Sequence, residues 1–116
     1  MKYVLLVCVE GKPDTAGEDS DESVDDGPDI ETWLEETGPR RLLGAQLAPP
    51  ADAVTVRRRK GETILTDGPY AETKELIAGY DLIECENMQE AIQIASRHPV
   101  ARFGMIEVRP YHPDED

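Results

Sequence analysis

The chain has 116 residues, the length of one domain, and 39% of them are hydrophobic, as is usual for a globular protein. No apolar run approaches the ~18–20 residues needed to cross a bilayer, so the sequence excludes a membrane-spanning helix. The net charge of −13 argues against binding to nucleic acid or to an anionic membrane surface, because both attract basic proteins.

The acidic residues are concentrated in one segment and in the tail. The stretch 14–36 holds eleven Asp and Glu and no Lys or Arg, and residues 114–116 add three more acids. Of the 25 acids, eleven remain against twelve bases, so the rest of the chain is nearly neutral. The acidic stretch is interpreted as a solvated region or, in a non-catalytic regulatory protein, as a recognition surface for a basic partner.

The first predicted element is a strand over Tyr3–Val9. This run is apolar at both odd and even positions, which indicates a strand whose two faces are both buried. The run leads into Glu10 and Gly11 and not into a small-residue cleavage site, so it is not interpreted as a signal peptide.

A flexible acidic loop is predicted over Gly11–Pro28, and a helix follows from an Asp29 cap to about Thr37. The only tryptophan, Trp33, is predicted to anchor the core and is also kept as a candidate ligand-binding residue. The buried face of this helix is predicted from i, i+3, i+4, i+7 spacing and consists of Ile30, Trp33, Leu34 and Thr37.

Short strands are predicted for the middle of the chain. Arg41–Leu47 is a strand that ends before a proline pair, and Ala53–Arg58 and Glu62–Leu65 form a hairpin around Lys60-Gly61. The basic run Arg57–Lys60 is interpreted as a solvated edge that discourages edge-to-edge pairing. Alternatively, it attracts the acidic loop or an anionic ligand.

The remaining predicted elements are a strand, a helix and a strand. Gly79–Cys85 is the first strand, Asn87 caps the helix with Glu90 as its capping-box partner, and Phe103–Arg109 is the last strand. His98 precedes a proline and is interpreted as a helix C-terminal residue favoured by the helix dipole. The apolar stripe of the helix is predicted to be Met88, Ala91, Ile92 and Ala95.

The two cysteines, Cys8 and Cys85, both lie in apolar, strand-like runs. They are predicted to be reduced thiols of a cytoplasmic protein, with a disulfide between neighbouring strands as the alternative. No zinc-like Cys/His spacing occurs, and the acidic run Asp19–Ser23 is not followed by the Gly and Glu of a calcium loop, so no metal site is predicted. No phosphate loop or dinucleotide fingerprint is present, and no cofactor is predicted.

The order of elements predicts a single α+β domain over residues 1–116, with an acidic loop at 11–28 and a polar tail at 111–116. The fold class is ferredoxin-like βαββαβ with an antiparallel sheet and an extra hairpin. Two helices cover only one face of a four-stranded sheet, yet Tyr3–Val9 is apolar on both faces. The expected partner is therefore a second copy of the chain, packed sheet against sheet in an obligate homodimer.

One run of nine residues is specific enough to suggest relatives, namely Asp67-Gly68-Pro69-Tyr70-Ala71-Glu72-Thr73-Lys74-Glu75. It resembles the DGPF(A/T)ETKE signature of the YCII-related family, with Tyr70 where Phe is usual. The opening Met-Lys-Tyr strand, the Pro-rich turn Leu47–Pro50, the run Thr55–Arg57 and the final Val108–Pro110 are also similar to that family. The resemblance thus covers most of the chain apart from 14–28.

The resemblance implies a dimeric α+β barrel but no settled activity. The wider barrel superfamily includes monooxygenases, isomerases and heme-dependent enzymes, and some DGPF-type proteins are associated with extracytoplasmic-function sigma factors. YCII proteins proper are thought to use a His–Asp pair as an active site. The only histidines here are His98 and His112, so the first half has none and that pair cannot be carried over.

The candidate site lies in the signature. Asp67-Gly68-Pro69 predicts a turn, which either only shapes the crossover between strands or borders a pocket between helices and sheet near the dimer seam. In the second case Asp67 and Glu72 are the candidate catalytic acid–base residues. The candidate ligand-binding residues are Gly68, Pro69, Tyr70, Thr73, Lys74 and Trp33.

Two functional hypotheses follow from these observations. The first is a small-molecule-binding or enzyme-like barrel with a concave pocket at the signature. The second is a non-catalytic regulatory module linked to transcription, which acts through its acidic segment. No nucleophile with an adjacent base is visible, so whether the protein is an enzyme stays open.

Overall fold

A computed structural model describes residues 1–10, 27–68 and 75–113. In this part of the chain, four strands form one antiparallel sheet, two form a separate hairpin, and two α-helices pack on the sheet. The elements in chain order are β1 (Lys2–Glu10), α1 (Ile30–Thr37), β2 (Arg41–Gln46), β3 (Val54–Arg59), β4 (Glu62–Asp67), β5 (Glu75–Glu84), α2 (Met88–Ser96) and β6 (Met105–Pro110). The sheet order β2-β5-β1-β6 is that of a ferredoxin-like fold, as predicted.

Both helices begin at the predicted caps. The Asp29 carboxylate accepts a hydrogen bond from the Thr32 amide at 2.8 Å, and the Asn87 side chain accepts one from the Glu90 amide at 2.9 Å. Each cap satisfies one of the backbone donors that an α-helix leaves unpaired in its first turn. The Glu90 side chain accepts from the Glu86 amide at 2.8 Å, one residue before the expected partner of a capping box.

The two helices cover the same face of the sheet. Trp33 on α1 is buried and its indole nitrogen donates to the Ile94 carbonyl on α2 at 2.9 Å, which confirms its predicted core role. Below the helices, alternate residues of β1 are buried, because side chains alternate between the faces of a strand. The buried hydrophobic core comprises Tyr3, Leu5, Val7, Trp33, Ile83, Cys85, Ala91, Ile94 and Ala95.

Two residues that were predicted to lie on buried helix faces are exposed. Ile30 at the start of α1 is 45% exposed, and Ile92 on α2 is 51% exposed. The residues of α2 that reach the core are Ala91, Ile94 and Ala95, whose i, i+3, i+4 spacing defines one face. Ile92 is one residue out of phase with that face, and the predicted stripe was wrong at this position.

The other face of the sheet is apolar and is termed the open face. The register places Val4 opposite Leu82 and Leu6 opposite Tyr80, and side chains that are directly opposite share a face. Toward the strand ends and edges, exposure increases. The open face consists of the half-buried Val4, Leu6, Tyr80 and Leu82 and the exposed Leu43, Ile77 and Met105.

The predicted hairpin is confirmed as β3 and β4. Its turn residues Lys60 and Gly61 have φ values of 53° and 79°, the left-handed pair that a two-residue hairpin turn requires. Val56 and Leu65 face each other across the hairpin and are exposed, as is most of the basic run Arg57–Lys60.

Several predicted boundaries and segments differ from the structure or lie outside it. The fifth strand begins at Glu75 and not at Gly79, and the last begins at Met105 because Pro99–Arg102 forms a 3-10 turn. Most of the predicted acidic loop, the signature from Pro69 to Lys74 and the last three residues lie outside the described residues. No helix among the described residues is long and apolar enough to cross a membrane.

Candidate functional site

A cavity of about 410 Å³ lies between the helix-covered face of the sheet, α1 and the 3-10 turn after α2. Its volume falls in the range of ligand pockets in proteins. Most of the lining residues are apolar, and the polar or ionisable ones are Arg41, Gln46, Tyr80, Asp81 and His98. The lining residues that matter for its chemistry are Val7, Val9, Ile30, Leu34 and Val100 on the apolar side and Arg41, Asp81 and His98 on the polar side.

Arg41 and Asp81 form an ion pair on neighbouring strands. The guanidinium Nε of Arg41 donates to Oδ1 of Asp81 at 2.7 Å, and the carboxylate is 8% exposed while the arginine side chain is 29% exposed. A buried carboxylate is costly unless it is paired, and here the arginine reaches it from the edge strand β2. The pair therefore holds a charged group at the wall of an otherwise apolar cavity.

Gly44 on β2 provides the space for this ion pair. It lies directly opposite Asp81 in the register, and a Cβ at this position would overlap both the Asp81 carboxylate and the Arg41 guanidinium. It would also lie 2.9 Å from the Tyr80 carbonyl, which is backbone and cannot move away easily. The absence of a side chain at Gly44 is thus a condition of the pair, since any larger residue displaces one of the two charges.

His98 is a further polar group on the cavity wall, and it is buried. Its Nδ1 accepts a hydrogen bond from the Val100 amide at 3.0 Å, and its ring contacts Trp33 edge-to-face with centroids 4.6 Å apart. Burial lowers the pKa of the imidazole, while the nearby Asp81 carboxylate acts in the opposite direction and Arg102 reinforces the lowering. The predicted place of His98 at the C-terminal end of the helix is confirmed, since its amide donates to the Ala95 carbonyl at 3.0 Å, but burial lowers the pKa of its ring, whereas a helix dipole would raise it.

The tautomer of His98 follows from its bonding. Because Nδ1 accepts a hydrogen bond, the neutral ring carries its hydrogen on Nε2. Protonation of Nδ1 would remove the acceptor that caps the 3-10 turn. His98 thus presents a neutral ring with one donor that is not used by the backbone.

A histidine and an aspartate therefore occur on the wall of one cavity in this chain. Asp81 lies on β5 and His98 follows α2, and both line the same cavity. The sequence argument excluded a pair only because the first half lacks histidine. The fold brings a histidine and an aspartate of the second half to the wall of one cavity.

A second, smaller cleft of about 190 Å³ lies between α1 and α2. Its charged residues are paired with each other: Arg40 contacts Glu90 at 2.9 Å, and Arg97 makes two bonds of 2.7 Å to Glu36. These pairs join the helices on their solvent side and leave fewer polar atoms for a ligand. The larger cavity is the better candidate site.

The residues predicted from the signature are mostly not part of the described structure. Asp67 is exposed at the end of β4, and Gly68 follows it with a φ of 90°. The Gly68 carbonyl accepts from the Thr55 hydroxyl at 2.7 Å, so this residue closes the base of the hairpin. Trp33 borders the smaller cleft from the core. Pro69, Tyr70, Glu72, Thr73 and Lys74 lie outside the described residues, and the predicted roles of the whole set stay predictions.

The sequence carried one signal for the residues that were missed. Asp81 is a single acid between Tyr80 and Leu82 in an apolar strand, and period-2 alternation puts it in phase with Ile83 on the helix-covered face. An acid at a core-facing position indicates a buried partner. Arg41 and His98 carried no comparable signal, because their proximity depends on the sheet order and on the turn after α2.

Fold and site together define a ferredoxin-like α+β domain with a ligand-sized cavity between its helices and its sheet. Residues 1–113 match the model of the YCII-related domain, and the chain belongs to this family. An uncharacterized protein of Rhizobium meliloti (strain 1021) is 45% identical over 76 residues, which is 61% of this chain and 61% of that protein. The chain thus spans about 61% of the length of this curated relative.

Proposed function

We propose that this YCII-related protein binds a small, largely apolar molecule in the cavity between helices and sheet, as one half of a homodimeric barrel. The observation that carries the proposal is the buried Arg41–Asp81 pair on the wall of a cavity of about 410 Å³. Polar groups that are held rigidly in an apolar pocket orient a ligand and provide specificity. The expectation from the sequence, a small-molecule barrel, is retained, but the site is moved from the signature to this cavity.

The same residues have the composition of an acid–base site. His98 is neutral with its hydrogen on Nε2, and the Asp81 carboxylate is an acceptor at the same wall. A donor and an acceptor on one cavity support proton transfer to and from a bound carbonyl compound. This chemistry extends the binding proposal and is tested separately from it.

The open face supports a second copy of the chain as the partner. Seven apolar side chains form this face, and Leu43, Ile77 and Met105 are 44–49% exposed. Monomeric proteins rarely expose apolar patches beyond a few hundred Å². Charged residues such as Lys2, Glu84 and Arg109 lie at its margin, as in the polar rim of an interface.

The state of the cysteines supports the cytoplasmic location that the sequence suggested. Cys8 and Cys85 are not joined by a disulfide, although Cys8 lies on a central strand of the sheet. Free thiols persist in reducing compartments, whereas oxidising ones favour disulfides. Burial raises the pKa of the Cys85 thiol and keeps it unreactive.

A ligand screen followed by amide NMR tests the binding proposal. Small aromatic and aliphatic amides, ketones and acids are added to the ¹⁵N-labelled protein at neutral pH. We expect shifts of the amide signals of Val7, Gly79 and Val100, which line the cavity. Asp81→Asn alters the polar wall and is expected to change these shifts, whereas Glu90→Gln in the smaller cleft is not. Shifts confined to the smaller cleft would overturn the proposed site.

A further inference from the structure

The polar wall of the cavity has unused hydrogen-bonding atoms of both kinds. Within the described residues, Arg41 donates only through Nε, so its two Nη groups have no protein acceptor. Asp81 accepts only through Oδ1 from the part of the chain that the structure describes, so Oδ2 has no donor there. Nε2 of His98 adds a further donor, since Nδ1 is occupied by the Val100 amide. The wall therefore offers donors beside one charged acceptor.

The charges of these groups cancel. Arg41 is positive, Asp81 is negative and the buried His98 ring is neutral. An anionic head group placed here would gain from Arg41 but would lie against the Asp81 carboxylate. In a site of low polarity this repulsion is weakly screened, so a neutral head group is accepted with less cost.

The rest of the cavity is mainly apolar and favours an apolar body, although Gln46 and Tyr80 are also among its lining residues. Val7 and Val9 come from β1, Ile30 and Leu34 from α1, and Val100 from the turn after α2. None of these side chains can form a hydrogen bond. A second polar group of the ligand placed among these five side chains would lose its hydration without replacement.

We infer that the cavity takes a small, mostly apolar and uncharged molecule whose polar end carries a hydrogen-bond acceptor beside a donor, as in a primary amide, an enol or a hydroxy-carbonyl compound. The acceptor lies toward Arg41 Nη and His98 Nε2, and the donor lies toward Asp81 Oδ2. This inference rests on the proposed binding function and specifies its ligand class.

Three probes of nearly equal shape separate the possibilities: benzamide has both a donor and an acceptor, acetophenone has the acceptor alone, and benzoate is anionic. Binding is measured by amide NMR titration of the full chain at pH 7.5. We expect benzamide to bind about tenfold or more tightly than either of the others, because hydrogen bonds to charged groups are the strong ones. The signals that must shift are the amides of Val7, Gly79 and Val100.

Asp81→Asn provides the sharpest variant. It removes one negative charge from the wall and leaves Arg41 uncompensated, so the preference should invert and benzoate should bind more tightly than benzamide. The matched control is Glu36→Gln, which makes the same change in net charge at an exposed residue paired with Arg97 outside the cavity. This control should keep the preference for benzamide.

The outcomes separate the ligand class from the site. Benzoate binding more tightly than benzamide to the unmodified protein, with shifts at the cavity amides, overturns the inferred class and leaves the proposed site intact. No shift at those amides with any of the three probes overturns both. The comparison on the unmodified protein decides the question even when Asp81→Asn does not fold.

Discussion

The two faces of the four-stranded sheet are formed by the same strands, and they differ in what covers them. On the helix-covered face, Leu5 and Ile83 have no exposed surface. On the open face, Leu6 and Leu82 are one residue away along the same strands and remain half-exposed. The sequence of β1 is apolar on both faces. The hydrophobic pattern therefore shows that both faces of the strand require burial, but it does not identify the element that covers each face.

The polar groups of the sheet show a second difference between the faces. The charges of the open face lie at its margin, where water reaches them, as for Glu107 and Arg109. The helix-covered face carries its charge, Asp81, in the interior, where it requires Arg41. The open face thus has its charges at the margin, as an interface does, and the helix-covered face has a charge in its interior, as a binding site does.

The largest expected effect is on the covered face. Leu5→Ala should lower the free energy of unfolding by about 2–5 kcal/mol, because it opens a cavity under both helices. Urea denaturation followed by circular dichroism measures this loss. We expect the loss at every protein concentration, and a change below 1 kcal/mol would contradict the assignment of Leu5 to a closely packed core.

The next effect tests the open face. Leu6→Glu should raise the Kd of the proposed dimer by about 100-fold or more, because a carboxylate would be buried without a partner. Size-exclusion chromatography with light scattering over a concentration series measures this change, and the variant appears as a monomer or as a chain that unfolds on dilution.

Ile92→Glu is the control for this experiment, since it places the same charge on an exposed isoleucine of α2 away from the open face. It should leave the dimer unchanged. A folded monomer of the unmodified protein at micromolar concentration would show that no second copy covers the open face.

A smaller effect is expected at Gly44. Gly44→Ala should cost about 1–3 kcal/mol, the usual range for overpacking, because the new methyl group displaces the Asp81 carboxylate or the Arg41 guanidinium. Urea denaturation measures the cost, and the amide NMR titration measures the loss of binding. Gly61→Ala is not a matched control, because its left-handed φ of 79° adds strain. Ala48→Val is the better one, since Ala48 is exposed just after the same strand and is not a lining residue of the cavity. Full binding by Gly44→Ala would remove the ion pair from the proposed site.

The smallest effect is the pH dependence of His98. Its pKa in the folded state lies below the ordinary value of 6.5, so the unfolded chain binds the proton first. The contribution of His98 to the free energy of unfolding should therefore be constant above pH ~6.5. It should fall as the pH decreases from ~6.5 toward the folded pKa, and level off below the folded pKa. His98→Asn keeps an acceptor for the Val100 amide but cannot titrate. The difference in urea midpoint between the two proteins should thus depend on pH only below about 6.5, and a constant difference would count against a buried neutral histidine.

Much of the fold was predictable because it depends on local patterns. The caps Asp29 and Asn87, the turn at Lys60-Gly61 and the apolar runs of β1 and β5 are signals contained in a few neighbouring residues, and each was confirmed. The errors lie where a pattern was ambiguous. Ile92 and Ile94 are both apolar, and only packing against the sheet shows that Ile94 is the one turned inward.

The site predicted from the signature and the cavity proposed from the fold depend on different kinds of residues, and the prediction at the signature stays a prediction. The signature is the most recognisable run of the sequence, and it showed the family correctly. Residues that are recognisable along the chain need not be those that meet in a cavity. Arg41 and Asp81 are forty positions apart and meet because β2 pairs with β5, which no local pattern specifies.

The sequence by itself determined the class of fold, the positions of most helices and strands, the apolar character of both faces of β1 and the family. These properties follow from periodicity, caps and turns, which act over a few residues. The tertiary structure alone decided that Arg41, Asp81 and His98 line one cavity, that Gly44 leaves room for the ion pair and that both helices cover the same face of the sheet. Those facts depend on the strand register and on the packing of the helices against the sheet. Both bring together residues that are far apart in the chain, and neither produces a periodic pattern in the sequence.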